Sequence, residues 1–179
     1  MLILLDMDDV LADFERGFLG RWRKKYPRSP FIPIEQRTVF FLENQYPQWC
    51  RPAIKRLIRA PGFFLNLEPV AGAPEAVAEM TALGHRVFIC SSPRPDCPNC
   101  ALEKILWVER HLGADLAGRL ILTGDKTLVR GDILIDDKPE ITGALAPVWE
   151  HVLFDFPYNR RVAGKRRLTW ADWRQVLGI

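Results

Sequence analysis

Asp6, Asp8 and Asp9 stand directly behind a short apolar run, Leu2–Leu5, in the sequence Asp6-Met7-Asp8-Asp9-Val10. Burying a carboxylate costs several kcal/mol unless it is paired or metal-bound. A metal-dependent phosphoryl-transfer site accounts for three such acids at the end of a strand. Other polar residues share this placement. Ser91 and Ser92 follow the apolar run 87–90, Lys126 lies shortly after Leu120–Leu122, and Asp136 and Asp137 close the run 133–135. Mg²⁺ takes hard oxygen ligands in an octahedron and keeps water and substrate phosphate among them. Two separated groups of carboxylates can supply that site.

The i, i+2 spacing of Asp6 and Asp8 points both side chains to one side of an extended chain. That geometry allows a division of labour. Asp6 can attack phosphorus and form an aspartyl-phosphate, while Asp8 protonates the leaving alkoxide and later deprotonates the attacking water. Acid work of this kind requires a raised pKa at Asp8, from burial or neighbouring negative charge. Lys126 would neutralise the phosphate and Asp6, and Ser91 would donate to a phosphoryl oxygen. Each element alone is a weak signal. Their order, each just beyond a separate buried strand, carries the weight.

The elements that must position these residues are legible in the same way. Continuous apolar runs at Leu2–Leu5, 87–90, Leu120–Leu122, 133–135 and 152–154 suit strands buried on both faces of a parallel sheet. Helix signals lie between and after them. Pro74 opens a helix over 75–83 that Gly84 closes, 101–112 ends at Gly113 in the same manner, and Thr169 is expected to cap a last helix presenting Trp170, Trp173 and Leu177 to the core. The pattern predicts an open α/β sheet, in which ligands bind beyond the carboxyl ends of the strands. One segment breaks the alternation. Residues 14–70 are rich in aromatic and basic side chains, hold helix-like patches at 14–25 and 52–60, and are punctuated by Pro27, Pro30, Pro33, Pro47 and Pro61. This length exceeds a crossover. It predicts a small helical cap, 14–70, inserted into a core formed by 1–13 and 71–179.

With 179 residues, 48% hydrophobic and 26% charged, the chain has the composition of a soluble globular protein large enough for a sizeable core. No apolar run approaches the roughly 20 residues that span a bilayer, and charge at Asp6 argues against a cleavable signal. A cytoplasmic protein without membrane partners is expected. The net charge of +3 is too small to demand a polyanion, although basic residues cluster at 21–25 and 160–167. Cys97 and Cys100 form a C-x-x-C pair. A structural zinc needs two further ligands, and neither a second pair nor a spaced pair of histidines exists, so a local loop role is expected. Cys90 reads as a small buried hydrophobe.

Taken together, these motifs resemble a known family. The order D-x-D, serine, lysine, Asp-Asp is that of the haloacid dehalogenase (HAD) superfamily of phosphatases. More closely, 6–14 (DMDDVLADF), 88–93 (FICSSP), 125–127 (DKT), 134–139 (LIDDKP), 149–154 (WEHVLF) and 170–172 (WAD) are similar to the 5'(3')-deoxyribonucleotidases. The resemblance implies a Rossmann-like core with a helical cap after the first strand and Mg²⁺-dependent hydrolysis of deoxynucleoside monophosphates. By motif position Asp6 is the nucleophile and Asp8 the acid/base. Magnesium would be held by Asp6, the main-chain carbonyl of Asp8 and one acid of Asp136 and Asp137, with Asp136 favoured as the first residue past the strand. Asp9 departs from the family's usual glycine and puts the local turn in question; Ser91 replaces the threonine of the animal enzymes and keeps the hydroxyl.

The resemblance also implies a nucleobase lying among cap aromatics, here Phe14, Phe40, Phe41 and Phe64, in an apolar wall that leaves a 2'-hydroxyl unpartnered. Ser92 and Arg94 are further substrate-binding candidates. The expected partner is a small nucleotide, with a homodimer left open. Two alternatives are weighed against this reading: a HAD phosphatase for another small phosphomonoester, and a nucleic-acid-binding or end-processing protein using the basic clusters.

Overall fold

A computed structural model describes residues 1–179. Six parallel strands form one sheet in the order β3-β2-β1-β4-β5-β6: β1 (Leu2–Leu5), β2 (Arg86–Ser91), β3 (Leu120–Leu122), β4 (Ile133–Asp136), β5 (Glu150–Phe154) and β6 (Arg167–Leu168). This is the strand order of a Rossmann-like sheet, whose direction of winding reverses between β1 and β4. The crevice at that reversal lies beyond the carboxyl ends of β1 and β4.

The apolar runs are continuous because both faces of the sheet are covered. Ile3 and Leu5 point into the main core with Val87, Ile89, Ile133, Ile135 and Val152, whereas Leu4 points the other way and packs with Cys90, Leu134 and Trp149. All of these are buried, and each fully buried Leu or Ile contributes roughly 1.5–3 kcal/mol. Cys90 is the small buried residue expected there, and burial pushes its thiol up to about 11. A register of Ile3 on Ile133 and Leu5 on Ile135 aligns the ends of β1 and β4.

Between β1 and β2 run α1 (Phe14–Lys25), α2 (Leu42–Gln45), α3 (Arg51–Ile58) and α4 (Ala73–Ala82). Asp13 caps α1 by accepting from the Arg16 N–H, and Arg23, Lys24 and Lys25 complement the dipole at its last turn. Buried residues of 14–70, among them Phe18, Trp22, Tyr46 and Ile54, are continuous with the core that holds Ile3 and Leu5. This segment is also pinned through hydrogen bonds to α5 (Cys100–Leu112). Glu103 accepts from Gly62 and Phe64 N–H at 2.6 and 2.9 Å, and Trp107 Nε1 donates to the Leu67 carbonyl at 2.7 Å.

α6 (Ala114–Ala117) follows α5, and α7 (Trp173–Leu177) ends the chain. Gly84 and Gly113 follow α4 and α5 with positive φ, as glycine past a helix end allows. The last helix differs from expectation. Thr169 does not cap it: the Thr169 N–H and hydroxyl both donate to Asp172 Oδ1, and Asp172 is the residue that precedes α7. Trp170, Trp173 and Leu177 are nevertheless buried, with Trp170 Nε1 donating to the Val10 carbonyl at 2.7 Å. Strand β6 was not expected, since two residues give no apolar run. No helix of the chain is long and apolar enough to cross a membrane.

Candidate active site

Asp6 is fixed by the sheet itself. Its N–H donates to the Ile135 carbonyl at 2.9 Å, which extends the ladder of β1 and β4 one residue past β1 and sets Asp6 beside Asp136. The chain then turns tightly: Leu11 and Ala12 N–H both donate to the Met7 carbonyl at 2.8 Å, and Asp9 N–H donates to the Ala12 carbonyl at 2.7 Å. Asp9 occupies the left-handed region at φ 59°. Aspartate tolerates that conformation better than most residues, so Asp9 fits the turn without a glycine. Its Oδ1 also accepts from the Glu15 N–H at 2.8 Å, in the first turn of α1.

Two lysines organise the acids. Lys126 Nζ lies 2.7 Å from Asp6 Oδ1 and 2.6 Å from Asp136 Oδ2. Burial alone would lower the Lys126 ammonium; Asp136 and Asp6 outweigh it and hold it above its ordinary range. Lys104, from α5, is fully buried and donates to Asp8 Oδ1 at 2.7 Å and to Ser91 Oγ at 3.0 Å. Burial raises the Asp8 carboxyl above its usual range, against the pull of Lys104 and with the Asp6 charge adding to the rise. That direction suits a proton donor.

The strand-end acids form a set that can hold a metal. Asp6, Asp136 and Asp137 each offer a carboxylate oxygen, and these oxygens all lie within 4.8 Å of one another. Burial pushes Asp136 up against the pull of Lys126, and burial followed by the charges of Asp136 and Asp6 pushes Asp137 well above the carboxylate range. Three crowded carboxylates share one ammonium, which is the imbalance a divalent cation corrects. The all-oxygen donor set fits magnesium. Tyr158 donates its hydroxyl to Asp137 Oδ2, and Asn159 Nδ2 donates to the Asp137 carbonyl at 2.7 Å.

These residues open into a cavity of about 420 Å³. Asp6, Asp8, Asp9, Ser91, Ser92, Lys126, Asp136 and Asp137 line one part of it, and Phe14, Phe40, Phe41 and Arg94 also line it. Phe64 does not. It is fully buried, with its ring 6.1 Å from that of Phe14 and Lys104 Nζ 5.2 Å from its centroid, so it supports the wall from behind. Phe40 sits against Tyr158 and Lys138, at 5.6 and 5.8 Å from its ring, whereas Phe41 is 59% exposed.

Several lining or supporting residues were not foreseen. Lys104 has no sequence signal, being one lysine among the polar positions of a helix. Glu43, on α2, also lines the cavity and pairs with Arg94 at 2.8 Å. Arg37 is buried against Glu15 at 2.6 Å and donates to the Val39 and Phe40 carbonyls at 3.1 and 3.3 Å, which orders the stretch that presents Phe40. Burial pushes the Glu15 carboxyl up to about 7 against the pull of Arg37. Cys97 and Cys100 are buried free thiols. Cys100 Sγ accepts from the Arg94 N–H at 3.4 Å, a local role in the loop that follows Ser92.

The whole chain, residues 1–179, matches the family model described as "5' nucleotidase, deoxy (Pyrimidine), cytosolic type C protein". It belongs to this family of phosphomonoester hydrolases. A Bordetella pertussis relative is 52% identical over 177 residues, 99% of this chain and 95% of its own. The human cytosolic-type 5'(3')-deoxyribonucleotidase is 46% identical over 186 aligned positions, 98% of this chain and 92% of the human protein. In fold, the chain is similar to a HAD family hydrolase from Deinococcus radiodurans, with a TM-score of 0.62 at 18% identity, covering 99% of this chain and 94% of that one.

Proposed function

We propose that this chain is a Mg²⁺-dependent 5'(3')-deoxyribonucleotidase that releases phosphate from deoxynucleoside monophosphates through an aspartyl-phosphate on Asp6. One observation carries the reading: a single cavity is lined both by the strand-end acids with Lys126 and by the aromatic wall of Phe14, Phe40 and Phe41. The activity named for the human relative agrees with it.

In the first half-reaction an Asp6 carboxylate oxygen bonds to phosphorus, the ester P–O bond breaks, and Asp8 gives its proton to the departing nucleoside oxygen. In the second, Asp8 takes a proton from water, the water oxygen bonds to phosphorus, and the Asp6–phosphorus bond breaks to free inorganic phosphate. Asp6, the main-chain carbonyl of Asp8 and an acid of the Asp136 and Asp137 pair would hold the magnesium, which when bound neutralises charge on the phosphoryl oxygens. Lys126 adds positive charge beside Asp6, and the Ser91 hydroxyl donates to a phosphoryl oxygen. Lys104 keeps Asp8 and Ser91 in register with each other. The aromatic wall holds the base by stacking and leaves a 2'-hydroxyl unpartnered, which favours deoxy substrates.

Phosphate release from matched deoxy and ribo monophosphates tests the reading. Release should require Mg²⁺, stop with chelator, and be faster for each deoxy member. Undiminished release in chelator refutes the metal assignment, and equal rates on both series refute the deoxy preference.

A further inference from the structure

Cys97-Pro98-Asn99-Cys100 forms a tight turn leading into α5. The Cys100 N–H donates to the Cys97 carbonyl at 3.1 Å, and Asn99 has φ −88° and ψ −11°. Those angles belong to the third position of a type I turn, and proline is favoured at the second. Such a turn holds its end Cα atoms less than about 7 Å apart, and a disulfide spans roughly 4.4–6.8 Å between them. Both residues are free thiols. Cys97 keeps 5% of its surface exposed and Cys100 none, with Pro98 exposed between them, so an incoming reagent meets Cys97 first. Burial pushes the Cys100 thiol up to about 11 against the pull of Lys104, which keeps it protonated at neutral pH. The same two residues grip Arg94. Cys100 Sγ accepts from the Arg94 N–H at 3.4 Å, and the Arg94 carbonyl accepts from the Cys97 N–H at 3.1 Å. Arg94 in turn lines the cavity and donates to Glu43 Oε1 at 2.8 Å.

We propose that Cys97 and Cys100 are a redox modification site, oxidised to a disulfide by a low-molecular-weight disulfide, and that this bond frees the Arg94 backbone and weakens substrate binding in the cavity. The effect on substrate rests on the nucleotidase reading above. The Cys97 thiolate attacks one sulfur of a reagent R–S–S–R, which forms a mixed disulfide and releases R–S⁻. The Cys100 sulfur gives up its proton and attacks the Cys97 sulfur; the Cys97–Cys100 bond forms and a second R–S⁻ leaves. The two cysteine protons end on the two released thiolates. The pair loses two electrons, and the reagent gains them as two R–SH. Bonded at about 2.05 Å to the Cys97 sulfur, Cys100 Sγ turns away from the Arg94 N–H. Lys104 lies one turn further along α5 and keeps its place, because Glu103 and Trp107 anchor the helix to Gly62, Phe64 and Leu67. The acid-rich end is spared.

The test equilibrates the whole protein with oxidised and reduced glutathione at rising ratio. After acid quench and alkylation, the peptide holding 97–100 should be lighter by two hydrogens, and excess dithiothreitol should restore both thiols. Hydrogen exchange at the Arg94 amide should quicken about tenfold in the oxidised form. KM for dTMP should rise about fivefold, the worth of one hydrogen bond, while kcat stays within about twofold. Cys97→Ser should keep the reduced protein's KM and amide exchange at every ratio. Absence of the disulfide at every ratio, a mixed disulfide that never closes, or a disulfide drawn from Cys50 or Cys90 overturns the proposal. So does a closed pair that leaves the Arg94 amide protected or KM unchanged, and so does an equal response in Cys97→Ser. Failure of the reduced protein to turn over any deoxynucleotide refutes the nucleotidase reading alone, because the thiols and the amide are read without substrate.

Discussion

At the acid-rich end of the cavity, side chains are carried by backbone that a strand ladder fixes. Asp6 is hydrogen-bonded to β4, Asp136 is the last residue of β4, and Ser91 is the last residue of β2. At the aromatic end Phe14 opens α1, but Phe40 and Phe41 come from a stretch whose one α-helix, α2, has four residues, and side chains hold that stretch together. Gln45 Oε1 accepts from Thr38 and Val39 N–H at 3.0 and 3.3 Å, and Arg37 secures the Val39 and Phe40 carbonyls. The difference teaches where each property resides. On the proposed reading, charge placement for chemistry draws on the precision of the sheet, while selectivity falls to segments that a few substitutions can remodel.

If the ends divide the work in this way, variants at each should move different kinetic constants. Lys104→Met unties Asp8 from Ser91 at the acid-rich end, and kcat should fall about 100-fold with little change in KM, as expected for misplaced reacting groups. Steady-state kinetics beside a circular dichroism spectrum checks it; a change confined to KM would blur the comparison. Phe40→Ala removes a stacking face at the other end, and KM should rise about tenfold while kcat stays within a few-fold. A large fall in kcat there would break the division.

The smallest effect lies outside both ends. Burial, with Lys165 beside it, lowers the His151 imidazole to about 4. The folded protein therefore binds that proton more weakly than the unfolded chain does, so the stability present above about pH 6.5 is lost as pH falls toward 4. His151→Gln should flatten the denaturant-midpoint profile across that window without altering the kinetics at either end.

The acid-rich end was far more legible in the sequence than the aromatic end. Asp6, Ser91, Lys126 and Asp136 follow apolar runs whose both-face burial is written in their composition, and a parallel sheet brings such strand ends to one edge. Phe40, Phe41 and Phe64 gave no comparable periodicity. A phenylalanine that lines a cavity and one that backs it are the same residue type, and Phe64 proved to be the latter. Lys104 was hidden because its role depends on α5 bringing it to Asp8 and Ser91, 96 and 13 residues away, a tertiary fact with no local pattern. Glu43 was hidden for the same reason, since its partner is 51 residues away. Thr169 carried a correct signal for a helix start but served Asp172 instead, a competition between two short polar side chains that spacing does not resolve.

The central claim is that Asp6 carries the phosphoryl group. Rapid acid quench of the protein turning over dTMP with Mg²⁺, followed by peptide mass analysis, tests it directly. The account predicts phosphate on the peptide that contains Asp6, and neither phosphopeptide nor turnover in Asp6→Asn. Phosphate release by Asp6→Asn at the unaltered rate would contradict it.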